Sequence, residues 1–106
     1  MAREKFDHWW GSLPDRLPRE TAIRVWRQNS GYSAQTFKFK GIDRDGALVV
    51  DPPLRRISKE DFAMVYRIWE DYTSGLTPRS KITGATVNST YIISVLRWFD
   101  EQPKKL

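Results

Sequence analysis

Two amphipathic helical patterns between Ile57 and Phe99 constrain the fold more than any other part of the sequence. Ser58, with Asp61 three positions later, has the form of a capped helix start. Apolar residues then recur at steps of three and four, as in a helix with one buried face; they are Phe62, Val65, Tyr66, Trp69 and Tyr72. Gly75 follows at the position of a left-handed C-cap. We therefore predict a long helix that begins at Ser58 and ends before Gly75.

A second helical pattern follows a proline-marked turn. Thr77 and Pro78 favour the start of a short helix, with Pro at its first position, and Gly84 ends it. Asn88 is a typical N-cap for the last helix. The apolar face of that helix is formed by Tyr91, Ile92, Val95, Leu96 and Phe99. We expect Phe62, Val65, Trp69, Tyr91, Val95 and Phe99 to meet in one core.

The first half of the chain has the alternation of strands. Residues 21–27 alternate with a period of two, which favours a strand, although a helix is possible there. Residues 36–42 form a clearer strand, with Phe37 and Phe39 on one face. Residues 43–46 have turn chemistry, and residues 47–50 return as the partner strand. The Asp-Arg-Asp-Gly sequence of this turn lacks the Glu that closes a calcium loop, so we predict a turn without metal.

These elements predict an α+β fold in one domain of 106 residues. A three-stranded antiparallel sheet, residues 21–51, packs against two or three helices, residues 57–101. Residues 1–20 precede the sheet as a short helix ended by Gly11 and an extended arm, because the residues before Pro14 and Pro18 are pushed away from helical geometry.

Composition argues against an enzyme or a metalloprotein. The chain has no Cys and a single His, and no acidic cluster has the spacing of metal ligands. No Ser or Thr has an evident activating base, and no glycine-rich phosphate loop is present. We therefore expect no cofactor and no catalytic residues. The first residues lack the apolar core of a secretory signal, and no apolar run is long enough to span a membrane, which favours a cytoplasmic location.

The net charge of +5 favours attraction to polyanions such as nucleic acid. Arg79 and Lys81 lie in the short helix before the last one, and Asn88 opens that last helix. This order has the outline of a helix-turn-helix, in which the start of the second helix meets bases while neighbouring cations hold phosphates. The alternative is that Asn88, with the Ser and Thr that follow it, only caps a core helix.

Further basic residues extend this candidate surface. Arg55, Arg56 and Lys59 precede or open the long helix. If Phe37 and Phe39 face the helices, Lys38 and Lys40 are exposed on the opposite face of the sheet. The alternative is an ordinary charged and solvated sheet face.

Two tryptophans leave a second function open. Alternation places Trp26 on the strand face opposite Ile23 and Val25, and Trp98 lies off the centre of its helix stripe. Such aromatics either fill the core or form an exposed surface for bases or for a protein partner. The sequence therefore predicts a small non-enzymatic binding module with DNA or RNA as its leading partner. The alternative is a protein-interaction or self-associating module that uses exposed aromatic surface.

The C-terminal half also carries a resemblance. Residues 57–62, Trp69, residues 72–75 and residues 88–92 resemble the C-terminal part of small uncharacterised bacterial proteins of phage, restriction loci and mobile gene cassettes. The similar segments cover less than half of the chain and include no catalytic motif. The resemblance implies a bacterial, intracellular setting and no defined activity.

Overall fold

The computed structural model describes residues 5–27, 30–84 and 86–101. Within these ranges the helices are α1 (Phe6–Gly11), α2 (Leu13–Arg16), α3 (Lys59–Thr73), α4 (Arg79–Thr83) and α5 (Ser89–Glu101). The strands are β1 (Ala22–Arg27), β2 (Gly31–Ile42), β3 (Leu48–Asp51) and β4 (Arg55–Ile57). They form one antiparallel sheet in the order β1-β2-β3-β4. The α+β class predicted from the sequence is confirmed.

The sheet has four strands in place of the predicted three. Strand β4 pairs with β3, and Ile57 lies opposite Leu48. Ile57 is fully buried, whereas Arg55 and Arg56 are exposed. A strand of three residues with a single apolar side chain cannot display alternation, so the periodicity of the sequence did not reveal it.

Strand β2 is longer than predicted and begins at Gly31, the last residue of an Asn-Ser-Gly sequence whose composition predicts a turn over residues 29–31. Gly31 has a φ of +74°, a value that favours glycine at the tight entry to the strand. Residues 31–36 pair only with β1, and the pairing is irregular between Arg24 and Trp26. Of the predicted turn, Asn29 lies outside the described residues.

That irregularity corrects the placement of Trp26. Simple alternation puts Trp26 opposite Val25, yet both side chains are buried. The indole packs edge-on against Trp69, with ring centroids 6.2 Å apart, and the backbone N–H of Trp26 donates to Ser94 Oγ at 3.0 Å. A bulge breaks the period of two and lets consecutive residues enter the core. Trp98 is partly buried and packs against Phe99.

The N-terminal segment also differs from the predicted extended arm. Helix α1 ends at Gly11 as expected, but α2 follows at once over Leu13–Arg16. Pro14 lies in the first turn of α2, where the missing N–H costs no hydrogen bond within the helix. Leu13 and Leu17 are both buried, so this segment contributes to the core.

Helices α3 and α5 cover one face of the sheet much as the apolar stripes predict. Ser58 Oγ accepts a hydrogen bond from the N–H of Asp61 at 3.1 Å, and Gly75 has a φ of +86°. Pro78 is the N-cap residue of α4, so this helix starts one residue later than predicted, at Arg79. Of the residues expected in the core, four are fully buried and two, Tyr91 and Phe99, are partly buried against it; the four are Phe62, Val65, Trp69 and Val95.

Candidate nucleic-acid interface

The burial of alternate residues of β2 shows which face of the sheet carries its lysines. Phe37 and Phe39 are buried against the helices, and Lys38 is exposed on the opposite face. Lys40 Nζ lies 2.7 Å from Glu20 Oε1. The hydrogen bond from Lys40, with its positive charge, lowers the pKa of Glu20, so this pair stays ionised and Lys40 is neutralised locally.

Arg56 is neutralised more completely. Its Nε lies 2.6 Å from Asp43 Oδ2, and its Nη2 lies 2.9 Å from Asp45 Oδ2. Hydrogen bonds, first from Arg56 and then from the backbone N–H of Ala47, lower the pKa of Asp43, and in return Asp43 raises the pKa of Arg56. Two carboxylates therefore compete with any phosphate for this guanidinium. Arg55 lies opposite Val50 in the pairing with β3 and is exposed.

Lys59 occupies the first position of α3. Its Nζ lies 3.4 Å from Asp7 Oδ1, and both side chains are well exposed to solvent. An exposed pair at this separation contributes little and is screened by salt. Lys59 and Arg56 line one shallow depression together with Trp10 and Glu60. This end of α3 therefore combines cations with nearby acids.

Arg79 lacks such compensation. Its Nη2 donates to Thr90 Oγ1 at 3.1 Å, which holds the guanidinium beside the first turn of α5. Its Nη1 is buried and has no hydrogen-bond partner. Among the described carboxylates, none forms an ion pair with Arg79. A guanidinium without an anion, next to a helix start, retains its attraction for phosphate.

The start of α5 adds the partial positive charge of a helix N-terminus to the region around Arg79. The carbonyl of Asn88 accepts from the N–H groups of Tyr91 and Ile92, each at 3.1 Å, so Asn88 precedes the helix as predicted. The first turn of α5 contains no acidic residue. The N-terminal end of the helix macrodipole is positive and attracts anions. Arg79 and this helix end therefore reinforce one another.

Thr86 connects the starts of α3 and α5. Its hydroxyl donates to Asp61 Oδ2 at 2.8 Å and accepts from the N–H of Asn88 at 3.1 Å. The first turn of α3, which includes Lys59, is thereby held beside Asn88. Sequence reasoning did not assign this role to Thr86, because only the folded chain brings Asp61 next to it.

The middle of α5 cannot enter a DNA groove, because it is buried in the core. Five consecutive residues, Ile92–Leu96, are buried, and so is Ser89. A recognition helix must expose a long side to the DNA. Around this buried stretch the two ends of α5 are accessible. At the start, Val87 is 94% exposed and Asn88 and Thr90 are partly exposed, whereas the other end carries the exposed acidic residues Asp100 and Glu101. If α5 acts as a recognition helix, only its first turn can therefore contact nucleic acid.

Lys81 lies on the exposed side of α4 at the edge of a groove. The groove separates α4 from α3, and its walls are mostly apolar; they include Met64, Ile68, Leu76, Pro78 and Ile82. Within the described part of the chain, Lys81 forms no ion pair. Of the six predicted residues, Arg79, Lys81 and Asn88 thus belong to the segment around α4 and the start of α5, whereas Arg55, Arg56 and Lys59 lie on or next to β4.

Comparisons with known proteins found no match to this chain. No protein-family model, no curated protein and no solved structure matches the chain. Over residues 5–27, 30–84 and 86–101, no group of three or more His, Cys, Asp or Glu side chains could hold a metal ion. In the same ranges no helix has both the length and the apolar character needed to cross a bilayer.

Proposed function

We propose that this protein is a small, non-enzymatic binding module that associates with nucleic acid through the start of α5. Arg79, Lys81 and Asn88 form the centre of the contact, and Arg55 and Lys59 assist at its edge. Arg56 lies at the same edge but adds little, because Asp43 and Asp45 hold its guanidinium. The observation that supports this most is the guanidinium of Arg79, which is bound to Thr90 and has no carboxylate partner in the described chain.

The burial of α5 favours contacts to the phosphate backbone over contacts to bases. Arg79 and Lys81 can approach a phosphate that lies at the positive end of the α5 macrodipole. A side chain in the first turn of α5 is too short to read several base pairs while the body of the helix stays in the core. We therefore expect similar affinity for different sequences, with Asn88 as the residue that is able to reach a base edge.

The test is a titration of the protein against duplex and single-stranded oligonucleotides at two salt concentrations. We expect wild type to bind with an affinity that falls as salt rises, because bound cations release counterions from the phosphates. Arg79→Gln and Lys81→Gln should each weaken binding about equally for different sequences. Arg44→Gln, which removes an exposed charge from the hairpin turn, is the matched control. Wild-type binding no tighter than about 10⁻⁴ M would exclude the proposal.

A protein-interaction or self-associating module is the second candidate, and the groove between α3 and α4 supports it. Leu76 lines this apolar groove while its own side chain is 78% exposed. Exposed apolar side chains beside an apolar groove are typical of protein-binding sites. Sedimentation at rising protein concentration separates the two candidates. Self-association that Leu76→Gln abolishes would favour this second function.

A further inference from the structure

The hairpin of β1 and β2 is basic along its whole length. No Asp or Glu occurs between Glu20 and Asp43, whereas Arg24, Arg27, Lys38 and Lys40 all fall in this interval. The helices cover the inner face of the sheet through Phe37 and its buried neighbours. The outer face of the hairpin is therefore open to a partner, and its charge is positive.

Arg24 and Tyr32 form a fixed pair on this hairpin. The guanidinium carbon of Arg24 lies 5.5 Å from the centre of the Tyr32 ring, and Arg24 Nε donates to the carbonyl of Ser33 at 3.3 Å. Tyr32 is 42% exposed, which makes it one of the few large hydrophobic residues of the described chain that face solvent. A planar cation over an aromatic ring offers a flat surface for stacking.

Lys38 extends the same surface along the sheet. In the register of the two strands, Arg24 lies opposite Thr36 and Ala22 lies opposite Lys38. Arg24 and Lys38 are therefore diagonal neighbours on the outer face, with Cα atoms about 7–8 Å apart. Asp51 lies opposite Lys38 on the other side, but it forms no ion pair with it among the described contacts. The stacking surface and Lys38 thus follow one another along the hairpin, with Arg24 between them.

We propose that the outer face of this hairpin, at Arg24, Tyr32 and Lys38, binds single-stranded nucleic acid. Tyr32 and the guanidinium of Arg24 stack on an unpaired base, and Lys38 contacts a phosphate farther along the same strand. This combination suits a single strand because paired bases in a duplex keep their faces stacked on one another. The inference rests on the proposed function in assigning nucleic acid as the partner, but it concerns a different surface from the start of α5.

The experiment compares binding of a single-stranded oligonucleotide of about 20 nucleotides with binding of the same sequence as a duplex. Tyr32→Leu keeps an apolar side chain but removes the ring, and Tyr32→Phe keeps the ring. We expect Tyr32→Leu to weaken single-strand binding by between about 5-fold and 150-fold, as loss of a stacked base does. We expect Tyr32→Phe to bind as wild type does, and Arg24→Gln to weaken binding more than Arg44→Gln. Thermal melting confirms that each variant is folded.

The outcomes separate this inference from the proposed function. Equal single-strand affinity for Tyr32→Leu and wild type, or wild-type binding of the duplex alone, overturns the hairpin surface and leaves the α5 contact standing. Loss of single-strand binding in Tyr32→Leu, with no effect of Arg79→Gln on either probe, supports the hairpin and overturns the α5 contact. Wild type that binds neither probe overturns both.

Discussion

Two basic regions of this protein differ in what surrounds their cations. At the end of the sheet, Lys40 and Arg56 are held by the carboxylates of Glu20, Asp43 and Asp45. Around the start of α5, Arg79 donates to the hydroxyl of Thr90 and has no described carboxylate partner. In the first region two cations face three carboxylates, whereas Arg79 contributes a positive charge that no described carboxylate offsets. Only the second keeps its charge for a partner, because a phosphate does not have to displace a carboxylate there.

Both basic regions are attached to one hydrophobic core. The largest effect that we predict is the loss of stability when that core is disrupted at Trp69. Trp69 is fully buried, and its Nε1 donates to Asp100 Oδ2 at 2.6 Å. We expect Trp69→Ala to lower the free energy of unfolding by about 3–5 kcal/mol, from lost burial and the remaining cavity. Urea denaturation measures this effect. Trp98→Ala, at a partly buried site, should cost less, and an unchanged Tm for Trp69→Ala would place Trp69 outside the core.

The next prediction tests the turn that presents Asp43 and Asp45 to Arg56. Gly46 has a φ of +84°, where a β-branched side chain is strained. We expect Gly46→Val to destabilise the fold by roughly 1–2 kcal/mol, the cost of a left-handed conformation for an ordinary residue. Gly11→Ala is the control, since Gly11 has no such φ and a Cβ there meets no atom within 4 Å. A Gly46 variant as stable as wild type would mean that the turn tolerates another conformation.

A smaller effect follows from the pKa of Asp43. Hydrogen bonds from Arg56 and from the backbone of Ala47 lower this pKa in the folded state. A carboxyl group whose pKa is lowered by folding stabilises the protein above its unfolded value of about 3.9. That contribution disappears as the pH falls through the folded-state pKa.

We therefore expect Asp43→Asn to be less stable than wild type at pH 7, with the difference shrinking as the pH is lowered below about 4. Urea unfolding of both proteins at a series of pH values measures the difference. Arg44→Gln, at the neighbouring position, should show no comparable convergence. A gap between Asp43→Asn and wild type that stayed constant into acid would show that the ion pair with Arg56 does not stabilise the fold.

The sequence predicted α3 well because the signals of this helix are local. The cap at Ser58, the stripe through Trp69 and the stop at Gly75 all lie within one helix, and the structure has each of them. Strand β4 and the buried position of Trp26 were not predictable in this way. The first depends on pairing with β3, and the second depends on extra residues of β2 that interrupt its pairing with β1.

The candidate site likewise depends on tertiary contacts that the sequence could not predict. Spacing could identify Arg56 and Arg79 as equally basic positions, but it could not reveal which of them has carboxylate partners. The partners of Arg56 lie 11 and 13 residues before it, across a hairpin. The contact between Arg79 and Thr90 likewise depends on how α4 meets α5. The distribution of charge along the sequence therefore indicates a candidate surface. Only the tertiary contacts determine which cations of that surface are available to bind a phosphate.

The most direct test of this account is the salt dependence of nucleic-acid binding in two matched variants, Arg79→Gln and Arg56→Gln. Each removes one positive charge, so their general electrostatic effects are equal. If Arg79 contacts a phosphate and Arg56 does not, Arg79→Gln lowers the slope of log affinity against log salt by about 1, and Arg56→Gln leaves that slope near the wild-type value. Equal slopes for the two variants, or a larger change for Arg56→Gln, would contradict the claim that carboxylate partners decide which cations bind.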